Sequence, residues 1–437
     1  VKNGHEGKAG GSGNVLISWI RHILALPGAA WAYATGKWHA MQASQSMLES
    51  AEPLALPSSS TAKLMAAWGK ASASPGDPPR PPVVLSNDEE ALIARIRLET
   101  EELNRNNVTR TEGYRNLYFR MPELHWALLA HMVSRNGGWN MTDLQGEWLP
   151  RLLNERQRKD VFLFLERANR LIFGDAYPQL LLYEWSRRLG RSLFHLLPAF
   201  GVSSFMEPVW RHFWRDGDSA MLSTALIVNE QHYIDERVAR HPYFEERVLG
   251  TMFFGLQSLL QMNAVFFPYR CGMDNRGEEL QLAGLILERF QSLDERIEFG
   301  KRLYAMLFGI PRVLDGVRNF AAAVKHTGSR ADYASGLFQP IRHQPPERFY
   351  AEKLLGGKLK PGSTPLYSPP LHAAWGDHEP EPPETGDWFR GPEQVGKYFQ
   401  KLTFPPNFEI TNEYGLLLNK LELAVLAAQR GAASPLA

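Results

Sequence analysis

Cysteine is almost absent. Cys271 stands alone in 437 residues, so neither an intramolecular disulfide nor a thiolate zinc site can form within the chain. Net charge is almost absent too: 48 Lys and Arg face 47 Asp and Glu. A protein that coats nucleic acid needs a basic excess to displace counterions, so no nucleic-acid partner is expected. Long apolar runs are missing. The most apolar stretch, from Val15 to Ala34, is broken by Arg21, His22 and Pro27. Each half is too short to cross a bilayer, and the interruption spoils the h-region of a cleaved signal peptide. A Walker-type loop and a Gly-x-Ser-x-Gly elbow are missing as well. What is present, 44% hydrophobic and 22% charged residues, is the composition of a globular chain with one large or two medium domains. A cytoplasmic location follows, at most peripheral to the inner face of the membrane.

Proline placement divides the chain. Eight of the 30 prolines lie in residues 1–86, eight in 87–339 and fourteen in 340–437, so the middle is proline-poor for its length. Three units follow: an N-terminal extension over 1–86, a helical core over 87–340, and a Pro-rich C-terminal segment over 341–437. The extension carries the linker Pro75 to Pro82, whose prolines favour extended geometry. Residues 14–38 allow two readings. They form a helix docked on the core, or an interfacial helix with Trp19, Trp31 and Trp38 at headgroup level beside Arg21 and Lys37.

The middle reads as helix nearly throughout. Ser86-Asn87 can cap a first segment, and Thr109 with Glu112 fits a capping box. Pro122 suits the first turn of the next helix, which Asn136-Gly-Gly138 would end. Residues 155–173, 218–239, 250–266, 278–309 and 311–325 continue the helical period, and 411–430 adds an amphipathic tail helix. The expected fold is all-α, an irregular bundle of roughly twelve to fifteen helices.

Four polar constellations stand out. The first, around Thr109 and Arg110, is either a helix cap or a helix N-terminus that offers free N–H groups and a guanidinium to an anion. The second runs from Pro122 to Asp143. Glu123, His131 and Arg135 share one i, i+4 row, and Ser134, Asn140 and Asp143 surround two glycines in what reads as a loop. The third places Asn229, His232 and Glu236 on one helix face, with Glu230 beside them. Carboxylate and imidazole there can act as an acid/base pair. A metal site would need Glu-x-x-His spacing on two helices, which is lacking, so neither a metal nor a cofactor is expected. The fourth, His326 to Tyr333, sets Ser329 and Arg330 beside a glycine; it is an oxyanion-holding turn or a plain helix C-cap.

These segments carry a resemblance. Asn106-Asn-Val-Thr-Arg-Thr-x-x-Tyr114, His125-Trp, Ser134-Arg-Asn-Gly-Gly-Trp-Asn-Met-Thr-Asp-Leu144, Asn229-Glu-Gln-x-Tyr-Ile234 and His326-Thr-Gly-Ser-Arg-x-Asp-Tyr333 make the chain similar to the YppC-like family of Bacillus-type bacteria, over about residues 90–340. That family is a domain of unknown function. The resemblance implies one coherent domain and supplies neither an activity nor catalytic residues.

Three functions compete. The leading expectation is a binding module for a small anionic ligand. Arg110, Arg135 and Arg330 would be the donors, helped by Thr109, Ser134, Asn140 and Ser329, with Asp143 and Asn229 in the same polar interior; three arginines beside hydroxyls are suited to phosphate or carboxylate. A hydrolase would use His131 or His232 with Glu123, Glu230 or Glu236. A membrane-peripheral interaction protein would use residues 14–38.

Overall fold

The computed structural model describes residues 34–71, 85–250, 263–270, 273–274, 277–278, 280–377 and 386–433. The Pro75–Pro82 linker, Trp19, Arg21, Trp31, Cys271, the Glu379–Glu384 stretch and most of the expected 250–266 helix lie outside them. The described chain is predominantly helical, as the periodicity predicts. Its principal helices are α1 (34–48), α2 (Ser58–Ala71), α3 (Asn87–Leu103), α4 (Asn107–Arg120), α5 (His125–Asp143), α6 (Glu155–Leu189), α7 (Met206–Asp216), α8 (Ser219–Ile234), α9 (Leu293–Gly309), α10 (Pro311–Ala323) and α11 (Thr411–Ala433).

Local chemistry sets most boundaries. Ser86 caps α3 in a reciprocal box with Glu89. The expected Thr109–Glu112 box is displaced by three residues. Asn106 is the cap, its Oδ1 accepts the Thr109 N–H, and the Thr109 hydroxyl accepts the Asn106 N–H. Asn154 and Gln157 open α6 in the same way, and Gly190, at φ 65°, closes it. Pro178 lies inside that 35-residue helix without ending it.

Two expectations fail here. The helix that Pro122 was to begin starts at His125, and it runs through Asn136-Gly-Gly138 as far as Asp143. Ser134, Asn140 and Asp143 are therefore helical residues, not a loop, and Glu123 lies before the helix instead of sharing its face with His131. Nor are residues 280–292 helical. Strands β1 (Ala264–Arg270) and β2 (Gln281–Ile286) pair antiparallel, and residues 408–410 extend the ladder through Gly284 N to Phe408 O (2.8 Å) and Ile410 N to Leu282 O (2.9 Å). The run Ala-Val-Phe-Phe is apolar at any period, so periodicity alone does not separate strand from helix there. Tertiary bonds decide it. The Asn136 amide projects from α5 and bonds both the N–H (3.0 Å) and the carbonyl (2.9 Å) of Phe266, as a neighbouring strand would. Behind β1, α10 approaches so closely that a methyl group on Gly316 would lie 1.9 Å from the Tyr269 carbonyl oxygen.

One hydrophobic cluster holds these parts together. It runs from Met47 and Trp68 through Trp126, Phe173 and Trp210 to Tyr414 and Val425. At 25 cal/mol per Å² of apolar area this burial is the main favourable term. Polar clasps add direction. Glu422 of α11 accepts Tyr350 Oη (2.7 Å) and the backbone N–H groups of Lys353 (2.7 Å) and Leu354 (3.1 Å). That seats a two-stranded hairpin, β3 (Leu354–Leu355) and β4 (Lys358–Leu359), on the C-terminal helix. No described helix is long and apolar enough to cross a membrane.

Candidate functional site

The first, second and fourth polar segments meet in one buried network. Asn107, at the start of α4, donates from Nδ2 to the Ser134 carbonyl (2.9 Å) and hydroxyl (3.1 Å). Its Oδ1 then serves as the acceptor for His326 Nε2 at 3.0 Å. This assigns the proton to Nε2 and leaves His326 Nδ1 bare, 3.5 Å from the Asp332 carboxylate. Thr327 satisfies that carboxylate with its N–H (2.8 Å) and hydroxyl (2.6 Å). Burial pushes His326 down to about 4, so it is neutral at pH 7. Burial would raise Asp332, but His326 beside it and the Thr327 hydrogen bonds outweigh this and hold the carboxyl below its usual range. The Thr111 and Ser134 hydroxyls share a 2.6 Å bond. His131 Nδ1 donates to the Thr111 carbonyl at 2.8 Å, which leaves its Nε2 a buried lone pair without a partner among the described residues. Burial first and the Arg135 charge second push His131 well below its ordinary range. Gly138 has no room for a side chain: a Cβ would sit 2.4 Å from Asn107 Oδ1 and 2.7 Å from His326 Nε2.

The three arginines expected to hold an anion are engaged within the fold. Arg110 bonds Glu166 at 2.5 Å, with the two side chains 1% and 6% exposed, and donates to the Asn104 carbonyl at 3.1 Å. Arg135 donates to the Val324 carbonyl (2.8 Å) and lies 4.5 Å over the Phe320 ring. Arg330 pairs with Asp143 (2.7 Å) and donates to the hydroxyls of Tyr333 (3.0 Å) and Tyr414 (3.1 Å). Their helpers are occupied likewise. Thr109 belongs to the α4 cap, and Ser329 donates to the Ser368 carbonyl at 2.5 Å. Asn140 is half-buried on α5. These arginines tie elements together because each faces a carboxylate or carbonyl that burial would otherwise leave unsatisfied.

Beyond this network opens a cleft of about 900 Å³. It is lined by Asp332 and Tyr333 beside the network, His39 of α1, Lys358 of the hairpin, and Glu409 and Thr411 at the start of α11. Its size is that of a small-molecule site. Leu280, Leu337 and Leu359 supply apolar wall. Burial raises the Glu409 carboxyl, although Thr411 bonds pull it down. His39, Lys358, Glu409 and Thr411 were not among the residues singled out in the sequence. They come from the two Pro-rich ends, where no motif marks them. His326, Asn107 and Asp332 stood inside quoted motifs, and only contact distances reveal their pairing.

The third segment lies apart. Asn229 donates to Asp175 (2.6 Å) and accepts from Trp388 (3.2 Å). Burial raises Asp175 to about 7 and Glu230 to about 8. Glu123 accepts the Tyr183 hydroxyl at 3.0 Å. His232 and Glu236 line a second open groove of about 680 Å³, with Asp294, Arg390, Lys397 and Tyr398. His232 Nδ1 donates to the Val228 carbonyl at 2.8 Å, and burial lowers its pKa. The acid/base candidates thus divide: His232 and Glu236 share a groove, while His131 belongs to the buried network, Glu230 is desolvated near Asp175, and Glu123 bonds Tyr183. Among the described residues no three His, Cys, Asp or Glu side chains gather as a metal site.

Comparison with known proteins places this arrangement. No solved structure matches the chain. It is 39% identical over 340 residues to the uncharacterized protein YppC of Bacillus subtilis (strain 168), which covers 77% of this chain and 94% of that protein. A family model described as a protein of unknown function, DUF2515, matches residues 102–413, reaching past the motifs to the cleft residues Lys358, Glu409 and Thr411. The chain therefore belongs to the DUF2515 family, whose matched region contains the Asn107–Ser134–His326–Asp332 network.

Proposed function

We propose that the protein is a binding module for a small amphipathic ligand with an acidic group, held in the cleft of about 900 Å³. The cleft itself is the observation that supports this reading. Its apolar walls suit a hydrocarbon or ring body, and Lys358 and His39 suit an acidic end. The anion donors are then Lys358 and His39 instead of the three arginines, whose charges are engaged within the fold. Native mass spectrometry of gently purified full-length protein tests it. A co-purifying mass is expected in the wild type and should be lost in Ala43→Trp, whose indole would occupy the cleft from α1. A clean apo mass, or an adduct that Ala43→Trp keeps, counts against the reading.

One observation favours a second reading. His232 has its Nδ1 proton committed to Val228, so its Nε2 is the basic nitrogen in a polar groove that also holds Glu236 and Tyr398. A hydrolase would use that nitrogen as general base. Chromogenic ester, phosphate and glycoside substrates offered to the wild type and His232→Ala decide it. Wild-type turnover at least 100-fold above the variant, with equal melting temperatures, is the expected result; equal rates in both remove the reading.

A further inference from the structure

Three of the most exposed large apolar side chains belong to one short segment: Ile341 is 62% exposed, Phe349 64% and Leu355 70%. The segment is firmly anchored, so the exposure is built into the fold. Arg342 and Lys353 both reach the Glu147 carboxylate, each at 3.6 Å, which brings the Ile341 and Leu355 ends together. Tyr350, next to Phe349, is buried under Lys353 (5.9 Å) and hydrogen-bonded to Glu422. In the hairpin, strand alternation turns Leu354 inward and Leu355 outward, where it pairs across the ladder with exposed Lys358. The turn between them, Gly356 at φ 60° and Gly357 at φ 79°, is of the kind that only glycine makes readily.

The surroundings are basic. Residues 341–360 hold five Lys and Arg against two Glu, in a chain whose net charge is +1. Arg348 lies 5.6 Å over the Phe349 ring, and neither it nor Lys358 pairs with a carboxylate among the described residues. Apolar side chains projecting among unpaired cations, from an anchored base, are complementary to a surface with anionic headgroups above hydrocarbon. We propose that this face, Ile341, Phe349 and Leu355 with Arg348 and Lys358, docks the protein on an anionic lipid bilayer. It is distinct from the N-terminal residues 14–38. It does not rest on the cleft's ligand, although Lys358 borders both.

Co-sedimentation of the full chain with vesicles tests this, using mixed phosphatidylglycerol and phosphatidylcholine against phosphatidylcholine alone. Binding to the mixed vesicles should exceed binding to the neutral ones at least tenfold and weaken as salt rises. The double variant Phe349→Asp/Leu355→Asp should lose at least tenfold of it with an unchanged melting temperature, because both side chains are already in water. Arg348→Glu should lower it several-fold while Ile341, Phe349 and Leu355 stay in place. No sedimentation with the mixed vesicles overturns the proposal. So does sedimentation that the double variant retains, which would assign the contact to another part of the chain. A concentration-dependent dimer that the double variant abolishes, seen by light scattering without lipid, would make the occupant a second copy and equally overturn it. A cleft adduct that persists in the double variant keeps the two questions separate.

Discussion

Replacing Gly138 with alanine should destabilise the protein by about 3 kcal/mol. The sign is opposite to intrinsic propensity, since Gly to Ala inside a helix ordinarily gains about 1 kcal/mol. The reason is steric. The new methyl would lie 2.4 Å from Asn107 Oδ1 and 2.7 Å from His326 Nε2. It must break the bond between those two atoms, leaving buried polar groups unpaired. Gly137, one residue earlier, is the control. A methyl there meets Asn169 at 3.3 Å, a half-buried side chain that can shift, so Gly137→Ala should stay within about 1 kcal/mol of the wild type. Urea denaturation measures both. A stabilised Gly138→Ala would show that the His326–Asn107 contact does not close the network. Acid should strain the same place. His326 titrates at about 4 in the folded protein against 6.5 ordinarily, so the unfolded chain takes up the proton first. Its contribution is fully present above pH 6.5, is lost as the pH falls from 6.5 toward 4, and levels off below; it amounts to about 3 kcal/mol at most.

Arg110→Met should cost about 3–5 kcal/mol, because it strands the Glu166 carboxylate in the interior without its cation. Adding Glu166→Leu should return most of that loss. The pair is joined by a single bond, and Arg110 Nε and Glu166 Oε1 are buried without partners among the described residues. Two desolvated charges with unmet valences contribute little net stability, so well-packed apolar replacements can match them. The same variants separate a structural from a ligand-holding arginine. If Arg110 serves the fold, the double variant regains stability and keeps any cleft adduct seen by native mass spectrometry. Recovered stability with a lost adduct would return Arg110 to the role of anion donor.

Much of this was legible in the residues alone. Capping pairs such as Ser86–Glu89 and the 3.6-residue period mark helices locally, because helix ends and faces depend on neighbours a few positions away. The motif segments from Asn106 to Tyr114, from His125 to Leu144 and from His326 to Tyr333 single out the polar interior and the family. What those residues do could not be read the same way. Gly137-Gly138 resembles a helix stop, yet the helix continues because packing against Asn107 and His326, distant in sequence, needs a bare backbone there. Arginine beside hydroxyl has the same local signature whether its charge meets a ligand or an internal carboxylate, and only the positions of Glu166 and Asp143 distinguish the two. The cleft joins core residues such as Asp332 and Tyr333 to His39, Lys358 and Glu409 from both Pro-rich ends, and no local pattern links residues so far apart in the chain. Sequence alone thus determined the helical class, the family and the residues of the polar core, all of which rest on short-range pattern. Tertiary structure decided which charges are spent inside and which remain outside, because that depends on contacts between residues far apart in the chain.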